Sequence, residues 1–436
     1  MGKAKYPKHK PSKTLWQEEI PSHWQETELR MLFADNKNKN IGLIEKNLLS
    51  LSYGKLIRKE IDSATGLVPA SFEGYQIIDE GYIVLRFTDL QNDKKSLRVG
   101  YANEKGIVTN AYVGLAPKTD IHSKYFYYQL HFLDKIKYFY NLGGGVRQSL
   151  AYKEFGREMV LFPDKDEQII IANFLDYKLT KIDRFLLNKK HLIKLLNEQK
   201  AAIINQAVTK GITHNVKMKP SGIEWLGDIP ENWGMKKLKY SVRLNIHSEF
   251  NNPQNSSVKI ALENIESNTG KILELSQNSF TGIGTIFKEG DVLFGKLRPY
   301  LAKVTSPFFE GSCVNEILVL TPQKELWNSQ FLTYRMLSAD FINIVDNSSY
   351  GAKMPRASWN FIGSLKIGHP NKDAQGLIVK YIETKHENIN KIISKINNEI
   401  TLIQNYKTAL IAEAVTGKID VREYKIPMTL EESTED

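Results

Sequence analysis

The chain has 436 residues, a net charge of +10 and an isoelectric point of about 9.2. Its length predicts two or three domains, and its charge favours an acidic polymer as partner, above all nucleic acid. The sequence has no apolar run long enough for a membrane span, its basic N-terminus is unlike a secretory signal, and its single cysteine, Cys313, excludes an intrachain disulfide. We therefore expect a cytoplasmic protein.

The apolar pattern predicts strands followed by helices in each half of the chain. β-branched and aromatic runs between Gly, Asn and Asp predict strands, and apolar residues at helical spacing predict helices. The elements in chain order are strands at 48–57, 81–90 and 106–115, helices at 123–139 and from 163, strands at 290–304 and 313–320, and helices at 328–345 and from 369.

An internal repeat explains this order. The pattern W-x-x-x-I-P-x-x-W begins at both Trp16 and Trp225, and we assign its tryptophans to structure. The segment 162–176 aligns with 369–383, whereas the strand-rich parts match poorly. The chain is therefore expected to contain two copies of one module. The expected boundaries are a first α+β domain at 1–162, a long helix at 163–212, a linker at 213–223, a second α+β domain at 224–368, a long helix at 369–419 and a tail at 420–436.

Both long helices carry a 4-3 apolar repeat that predicts a coiled coil. Because the second helix must return the chain toward the first module, we expect an antiparallel pair. Pro163 and Pro370 precede the helices, and Gly211 and Gly417 follow them as expected C-caps. The seam residues are Leu175, Leu179, Ile182, Leu186, Ile193, Leu196 and Ile203 in the first helix and Ile382, Ile389, Ile393, Ile396, Ile400, Ile403 and Leu410 in the second. A seam histidine, His386, is expected to be packed rather than to bind a ligand.

Catalytic motifs are incomplete. GDVLFGKL (290–297) nearly matches the phosphate-binding pattern G-x-x-x-x-G-K-[ST], but Leu297 replaces the hydroxyl that holds Mg²⁺. NNPQN (251–255) lacks the second proline and the aromatic residue of an amino-methyltransferase loop. The histidines lack H-x-E and H-E-x-x-H spacing. We expect neither a catalytic site nor a metal site.

The loops at 141–156 and 347–363 combine glycine with Arg, Lys, Gln and aromatic residues. Glycine lets a backbone approach a duplex, Arg and Gln read base edges, and Lys holds phosphates. The alternative is a pair of solvated hairpins with ordinary surface charges. The predicted DNA-binding residues of these loops are Gly144, Gly145, Arg147, Gln148, Lys153, Tyr350, Gly351, Lys353, Arg356 and Trp359. Strand-flanking candidates are Tyr53, Lys55, Arg58, Lys296 and Arg298.

Several phrases carry a family resemblance that covers nearly the whole chain. They are KMKPSGIEWLGDIPENW (217–233), GDVLFGKLRPYLAKV (290–304), GYIVLRFTDLQNDKKSLRVG (81–100), the proline-led helices with Gln168 and Gln375, and the helix ends AVTKG and AVTGK. On these phrases, the chain resembles the specificity subunit of a type I restriction–modification system. The first tryptophan motif departs from the usual wording, with WQEEIP in place of WLGDIP.

This resemblance implies an α+β fold with two target-recognition domains, each followed by a long helix. Each domain would read one half of a split DNA sequence, and the paired helices would set the length of the unread gap. The subunit would hold no cofactor and catalyse nothing. Two methyltransferase subunits with S-adenosylmethionine would methylate adenine, and two restriction subunits that use ATP and Mg²⁺ would join them on double-stranded DNA.

Two other classes of function remain open at this point. One is an enzyme that acts alone, either a nucleotide hydrolase using Lys296 or a self-contained methyltransferase. The other is a coiled-coil scaffold whose lobes bind carbohydrate or protein. Assays of the isolated chain for DNA binding, ATP turnover and methyl transfer distinguish the three.

Overall fold

The structure is a computed structural model. It describes residues 4–60, 71–88, 90, 97–142, 150–213, 215–248, 258–273, 280 and 283–427. The chain divides into two units, of which the first comprises Met1–Asn188 with Glu399–Asp436 and the second comprises Lys189–Asn398. Both long helices contribute residues to both units. Within the described part of the chain, every helix is too short or too polar to cross a membrane.

The first unit is built from short strands and three helices that precede a long one. Its strands are β1 (His9–Pro11), β2 (Glu19–Pro21), β3 (Gln25–Glu28), β4 (Phe33–Asp35), β5 (Leu48–Ser52), β6 (Lys55–Lys59), β7 (Gln76–Ile78), β8 (Ile83–Leu85), β9 (Val99–Tyr101), β10 (Gly106–Val108), β11 (Val113–Pro117) and β12 (Met159–Phe162). Its helices are α1 (Leu29–Leu32), α2 (Ser123–Lys135), α3 (Tyr152–Phe155) and the start of α4 (Lys165–Lys210). The sheets have the orders β6-β5-β10-β7, β4-β11-β8-β9, β1-β2 and β12-β3.

The second unit has the same kind of composition. Its strands are β13 (Met218–Pro220), β14 (Asp228–Pro230), β15 (Gly234–Lys237), β16 (Val242–Asn245), β17 (Val258–Ile260), β18 (Thr285–Phe287), β19 (Val292–Gly295), β20 (Val304–Thr305), β21 (Gly311–Cys313), β22 (Ile317–Pro322) and β23 (Lys366–His369). Its helices are α5 (Ser329–Leu337), α6 (Ala339–Asn347), α7 (Trp359–Ser364) and the start of α8 (Lys372–Val415). The sheets have the orders β16-β22-β19-β20, β17-β21-β18, β13-β14 and β15-β23.

The two units repeat one topology. The sheet β4-β11-β8-β9 corresponds strand by strand to β16-β22-β19-β20. In the other main sheet, a central strand pairs parallel with one neighbour and antiparallel with the next in both units. In the described residues, the first unit adds the outer strand β6. The internal repeat therefore includes the strand-rich parts, although their sequences match poorly.

The predicted long runs are interrupted by turns. Residues 48–57 belong to the hairpin β5–β6 rather than to one strand, because Tyr53 and Gly54 both have positive φ. The runs 106–115 and 313–320 each contain parts of two strands, and 290–304 turns at Pro299. The predicted helix 328–345 is two helices, because Ser338 between α5 and α6 is extended. These five predictions were wrong in extent.

Every residue of the predicted seam of α4 and α8 is buried or half-buried. In the first unit, Lys407 Nζ of α8 donates to Asp183 of α4. In the second unit, Lys200 Nζ of α4 donates to Asn390 Oδ1 of α8 at 3.1 Å. The partner number on α8 falls as the residue number on α4 rises, so the helices pair antiparallel. Both predicted C-cap glycines, Gly211 and Gly417, have positive φ.

His386 lies in this seam and is buried, as expected for a packed histidine. Its Nε2 lies 3.1 Å from the backbone oxygen of Lys200. Burial lowers the pKa of His386 and also that of Lys200. A polar layer therefore interrupts the apolar seam, which is the kind of feature that fixes the register of a coiled coil.

The buried glutamines of the proline-led helices attach each long helix to the module that precedes it. Gln168 Oε1 accepts a hydrogen bond from His122 N at 2.9 Å, just before α2. Gln375 Oε1 accepts one from Asn328 N at 2.8 Å, just before α5, and its Nε2 donates to Leu326 O at 2.9 Å. In both modules, a buried glutamine of the long helix thus accepts a hydrogen bond from the backbone just before an earlier helix, α2 or α5.

We expect Gln375→Leu to lower the free energy of unfolding by about 1–3 kcal/mol, because it leaves buried backbone groups without partners. Urea unfolding followed by circular dichroism measures the change. Gln404→Leu, at an exposed position of α8, is the matched control and should change stability by less than about 0.5 kcal/mol. Equal stability of Gln375→Leu and the parent would contradict the role assigned to this side chain.

The tryptophan motifs and the C-terminal segment also contribute residues to the hydrophobic cores. Trp24 and Trp233 are buried in the cores of the first and second units, respectively, which agrees with their assignment to structure. After α8, Val421 is buried and the ring of Tyr424 lies 4.8 Å from that of Phe174 on α4. The first part of the predicted tail therefore belongs to the first unit. The acidic end, residues 431–436, lies outside the described residues.

Candidate nucleic-acid interface

Two segments of the second unit that are distant in sequence lie side by side. Lys296 follows β19, and its backbone oxygen accepts a hydrogen bond from Ala357 N at 2.9 Å. Arg298 N donates to Pro355 O at 2.8 Å. The structure therefore brings the strand-flanking candidates Lys296 and Arg298 next to the loop that holds Tyr350, Gly351, Lys353 and Arg356.

Arg356 holds these segments together. Its guanidinium forms a fork on the Glu316 carboxylate, with Nη2 2.9 Å from Oε1 and Nε 3.1 Å from Oε2. This hydrogen bonding raises the pKa of Arg356. Its backbone also exchanges two hydrogen bonds with Tyr350. In this arrangement, Arg356 positions the loop, and the Glu316 fork uses Nε and Nη2 but not the two N–H groups of Nη1.

Basic and aromatic side chains lie around the ion pair of Arg356 with Glu316. We call Lys296, Arg298, Tyr300, Tyr350 and Lys353 the 296–353 surface. All are exposed except Lys296, which is half-buried. Arg298 has a φ of +51° immediately before Pro299, a backbone conformation that few non-glycine residues adopt. Such a surface suits a nucleic acid, because guanidinium groups read guanine, ammonium groups hold phosphates and aromatic rings stack.

Trp359 does not belong to the 296–353 surface. It begins α7 and lines an open groove of about 660 Å³ with Lys239, Tyr240 and Arg243. The ammonium group of Lys239 lies 5.3 Å from the centre of the Tyr240 ring. Trp359 therefore lines a groove with Lys239, Tyr240 and Arg243, which were not among the predicted DNA-binding residues.

In the first unit, Tyr53, Lys55 and Arg58 lie on the hairpin β5–β6. Tyr53 is exposed at the turn, with a φ of +47°. Arg58 Nε donates to Glu104 Oε1 at 2.7 Å, and this hydrogen bond raises the pKa of Arg58. Lys55 Nζ lies 3.9 Å from Asp183 of α4. Lys55 therefore lies near α4, whereas Arg58 pairs with Glu104.

The turn of the hairpin borders a cleft of about 870 Å³ in the first unit. Lys124 and Lys407 line the cleft, but they pair there with Asp176 and Asp183. Burial raises the pKa of Tyr127 to about 12 and lowers the pKa of His131 to about 4. The tyrosine and the histidine are both neutral near pH 7, and the two lysines are already neutralised. Lys55 and the exposed Lys135 also line the cleft, so positive charge remains there beside these two ion pairs.

The remaining candidates of the first unit are only partly placed. Gly144, Gly145, Arg147 and Gln148 lie outside the described residues. Lys153 is exposed on α3. These residues therefore stay predictions.

Sequence reasoning missed Glu316, the residue that fixes Arg356. Its only signal was a single acidic residue within the apolar run CVNEILVL. Among the described residues, no group of histidine, cysteine and carboxylate side chains has the arrangement of a metal site. The phosphate-loop candidate GDVLFGKL forms β19 and a turn, and no α-helix follows directly, so it lacks the strand–loop–helix arrangement of a nucleotide site.

Comparison with known proteins relates this fold to one group. No family model matches the chain. The sequence is 22% identical over 280 residues to the type I restriction enzyme EcoDI specificity subunit of Escherichia coli, and the match covers 60% of this chain and 62% of that protein. The aligned region thus spans less than two thirds of the relative.

Two solved structures share the fold over most of the chain. One belongs to a study of complex assembly and conformational transition of the type I R-M system, with a TM-score of 0.65, 10% identity and coverage of 92% of this chain and 99% of that one. The other is the HsdS subunit from Thermoanaerobacter tengcongensis, with a TM-score of 0.51, 11% identity and coverage of 92% and 98%. The resemblance to type I specificity subunits and the expected fold class are confirmed.

Proposed function

We propose that this chain is the DNA-recognition subunit of a type I restriction–modification complex. The observation that carries the proposal is the repeated topology: two modules of one fold are each attached to a long helix by a buried glutamine, and the helices pair antiparallel. Each module reads one half of a split DNA target. The paired helices fix the number of unread base pairs between the halves.

The charge and the 296–353 surface support DNA as the ligand. The chain has a net charge of +10, and in the second unit basic and aromatic side chains are exposed on segments fixed by Glu316. Phosphate contacts by lysine and arginine supply most of the affinity of such proteins, and base contacts supply the specificity. For the first module, Arg147 and Gln148 remain the proposed base-reading residues.

We assign methyl transfer and DNA cleavage to partner subunits. In this proposal, the chain is non-catalytic and holds no cofactor of its own. Two methyltransferase subunits bind S-adenosylmethionine and methylate an adenine in each half-site. Two restriction subunits that use ATP and Mg²⁺ complete the endonuclease. The assembly works in the cytoplasm, on double-stranded DNA.

Methyl transfer to plasmid DNA tests this assignment. The full chain alone should transfer no methyl groups and hydrolyse no ATP, whereas the chain mixed with the methyltransferase subunit of its host should methylate DNA. Methylation or ATP turnover by the purified chain, abolished by Lys296→Ala, would establish the enzyme alternative instead.

Arg298 and Lys353 should differ in how their loss affects DNA binding. We expect Arg298→Ala to cost about 1–3 kcal/mol on the cognate target and to relax specificity in one half-site only. We expect Lys353→Ala to weaken binding to all sequences and to reduce the salt slope by about one unit. Fluorescence anisotropy with cognate and altered duplexes at several salt concentrations measures both effects.

Lys366→Ala, at an exposed position on β23, is the control for a general loss of positive charge. Altered preference in both half-sites after Arg298→Ala would contradict the proposal that the modules read independently.

A further inference from the structure

One place in the repeated fold differs in charge between the two modules. Strand β3 corresponds to β15, because each pairs antiparallel with the strand that leads into the long helix. Strand β4 corresponds to β16, because each begins opposite a proline of the neighbouring strand. In this shared register, the differences are Lys237 in place of Glu28, Arg243 in place of Ala34 and Leu244 in place of Asp35.

In the first module, this place is neutralised by its own side chains. The carboxylate of Glu28 forms an ion pair with Arg30. The carboxylate of Asp35 forms an ion pair with Lys37. The hydroxyl of Tyr152, at the start of α3, donates to a backbone oxygen of β4 at 2.6 Å. Both cations therefore already have counter-charges.

In the second module, the same place is an open groove with cations. Trp359 takes the place of Tyr152, because each begins the short helix that precedes the last strand of its module. Lys239, Tyr240 and Arg243 line the groove with it, and no acidic side chain is among its described lining residues. Lys239 and Arg243 are exposed, and neither forms an ion pair with a described carboxylate. We call this feature the Trp359 groove.

The segments that form the Trp359 groove contain no acidic residue. Residues 232–248 contain four lysine and arginine residues, and residues 351–369 contain three, whereas both segments lack aspartate and glutamate. A cleft lined by one sign of charge attracts ligands of the opposite sign. The groove therefore suits a polyanion, whereas the matching place of the first module does not.

The Trp359 groove is continuous with the 296–353 surface. Trp359 follows Arg356 by three residues, which span at most about 11 Å. Glu316, which holds Arg356, directly precedes β22, and Thr321 near the other end of β22 pairs with Arg243. Five residues of an antiparallel strand span about 17 Å, the length of about five base pairs. A duplex on the 296–353 surface that runs along β22 therefore reaches the groove.

We propose that Lys239 and Arg243 hold phosphates of double-stranded DNA about five base pairs away from the bases that the second module reads. This inference rests on the proposed function. Phosphate contacts fix the register and orientation of a protein on a duplex and carry no sequence information. The Trp359 groove therefore strengthens the binding of the second module to every sequence, and the matching place of the first module contributes nothing comparable.

Neutral phosphates placed one at a time along the mapped target locate these contacts. Each duplex of a series carries a single methylphosphonate, and the binding of the full chain to each duplex is measured. We expect the parent to lose affinity for substitutions at the second half-site and also for substitutions about five base pairs away from it. Lys239→Ala/Arg243→Ala should become insensitive to the distant substitutions only.

The salt dependence of binding counts the contacts. Lys239→Ala/Arg243→Ala should reduce the salt slope by about two units and weaken binding roughly 10- to 100-fold at about 0.1 M salt. The ratio of affinities for cognate and altered targets should stay parental, because no base contact is lost. Lys239→Arg/Arg243→Lys keeps both charges and should bind as the parent does. Arg30→Ala/Lys37→Ala removes two paired cations at the matching place of the first module, so this control should keep the parental slope.

Equal salt slopes of the alanine variant and the parent overturn the DNA contact, as does a parent that is insensitive to the distant methylphosphonates. The scan of the parent decides the question even if the alanine variant unfolds. If the alanine variant binds DNA as the parent does but loses its association with the methyltransferase subunit, the groove holds a protein and the proposal is wrong. A parent chain that binds no mapped target overturns the proposed function itself.

Discussion

Four residues inserted after Ala201, duplicating the local pattern of α4, should lengthen the unread gap by one or two base pairs and leave both half-sites unchanged. Four residues are close to one helical turn, so the seam continues as a stutter and α4 grows by about 6 Å. One base-pair step spans roughly 3.4 Å. The insertion follows the polar layer of Lys200 with Asn390 and precedes the residues of α4 in the core of the second unit.

Competition binding measures the gap directly, with a series of duplexes whose half-sites are separated by one additional base pair at a time. Four Gly and Ser residues inserted in the linker after Val216 provide the control, because they lengthen no helix and should leave the preferred gap as in the parent. An active α4 insertion variant with the parental gap would show that the long helices do not set the spacing.

Asp340→Ala should cost about 3–5 kcal/mol, because it leaves a fully buried guanidinium without its counter-charge. Arg335 has no solvent exposure, and its two terminal nitrogens lie 2.9 and 2.8 Å from the carboxylate oxygens of Asp340. Burial lowers the pKa of Arg335. The guanidinium also lies 5.6 Å from the ring centre of Trp225. Trp225 of the second tryptophan motif therefore packs against the same ion pair.

Chemical unfolding with separate probes for the two units tests this expectation. The transition of the second unit should move to lower urea, and contacts to its half-site should be lost. The double variant Arg335→Met/Asp340→Ala should recover most of the stability, because replacing a buried pair by apolar residues is often neutral or stabilising. Failure of the double variant to recover would assign the loss to packing around Asp340 rather than to the unpaired charge.

The long helices were the most predictable part of the fold. Their seam was predicted from a sustained 4-3 apolar repeat, and every predicted seam residue from Leu175 to Leu410 is at least half-buried. Strand boundaries were less predictable, because residues 48–57 read as one apolar run. The turn at Tyr53 depends on a positive φ that this residue type rarely adopts.

The candidate site was only partly predictable for a similar reason. Residue type identifies Arg298, Lys353 and Arg356 as possible DNA ligands, and the structure brings them close together. Which arginine is engaged depends on Glu316, a residue forty positions away from Arg356 in sequence. Long-range ion pairs such as that of Glu316 with Arg356 result from tertiary packing, which no local pattern reports.

The central claim is that this chain specifies a split DNA sequence with a constant gap. Genome-wide mapping of methylated bases, in a host that carries the chain with its neighbouring subunits and in the same host after its deletion, tests this claim most directly. The account predicts that deletion removes methylation from one motif only, made of two short half-sites separated by a fixed number of unread base pairs. Loss of methylation from a continuous motif, or an unchanged methylation map, would contradict it.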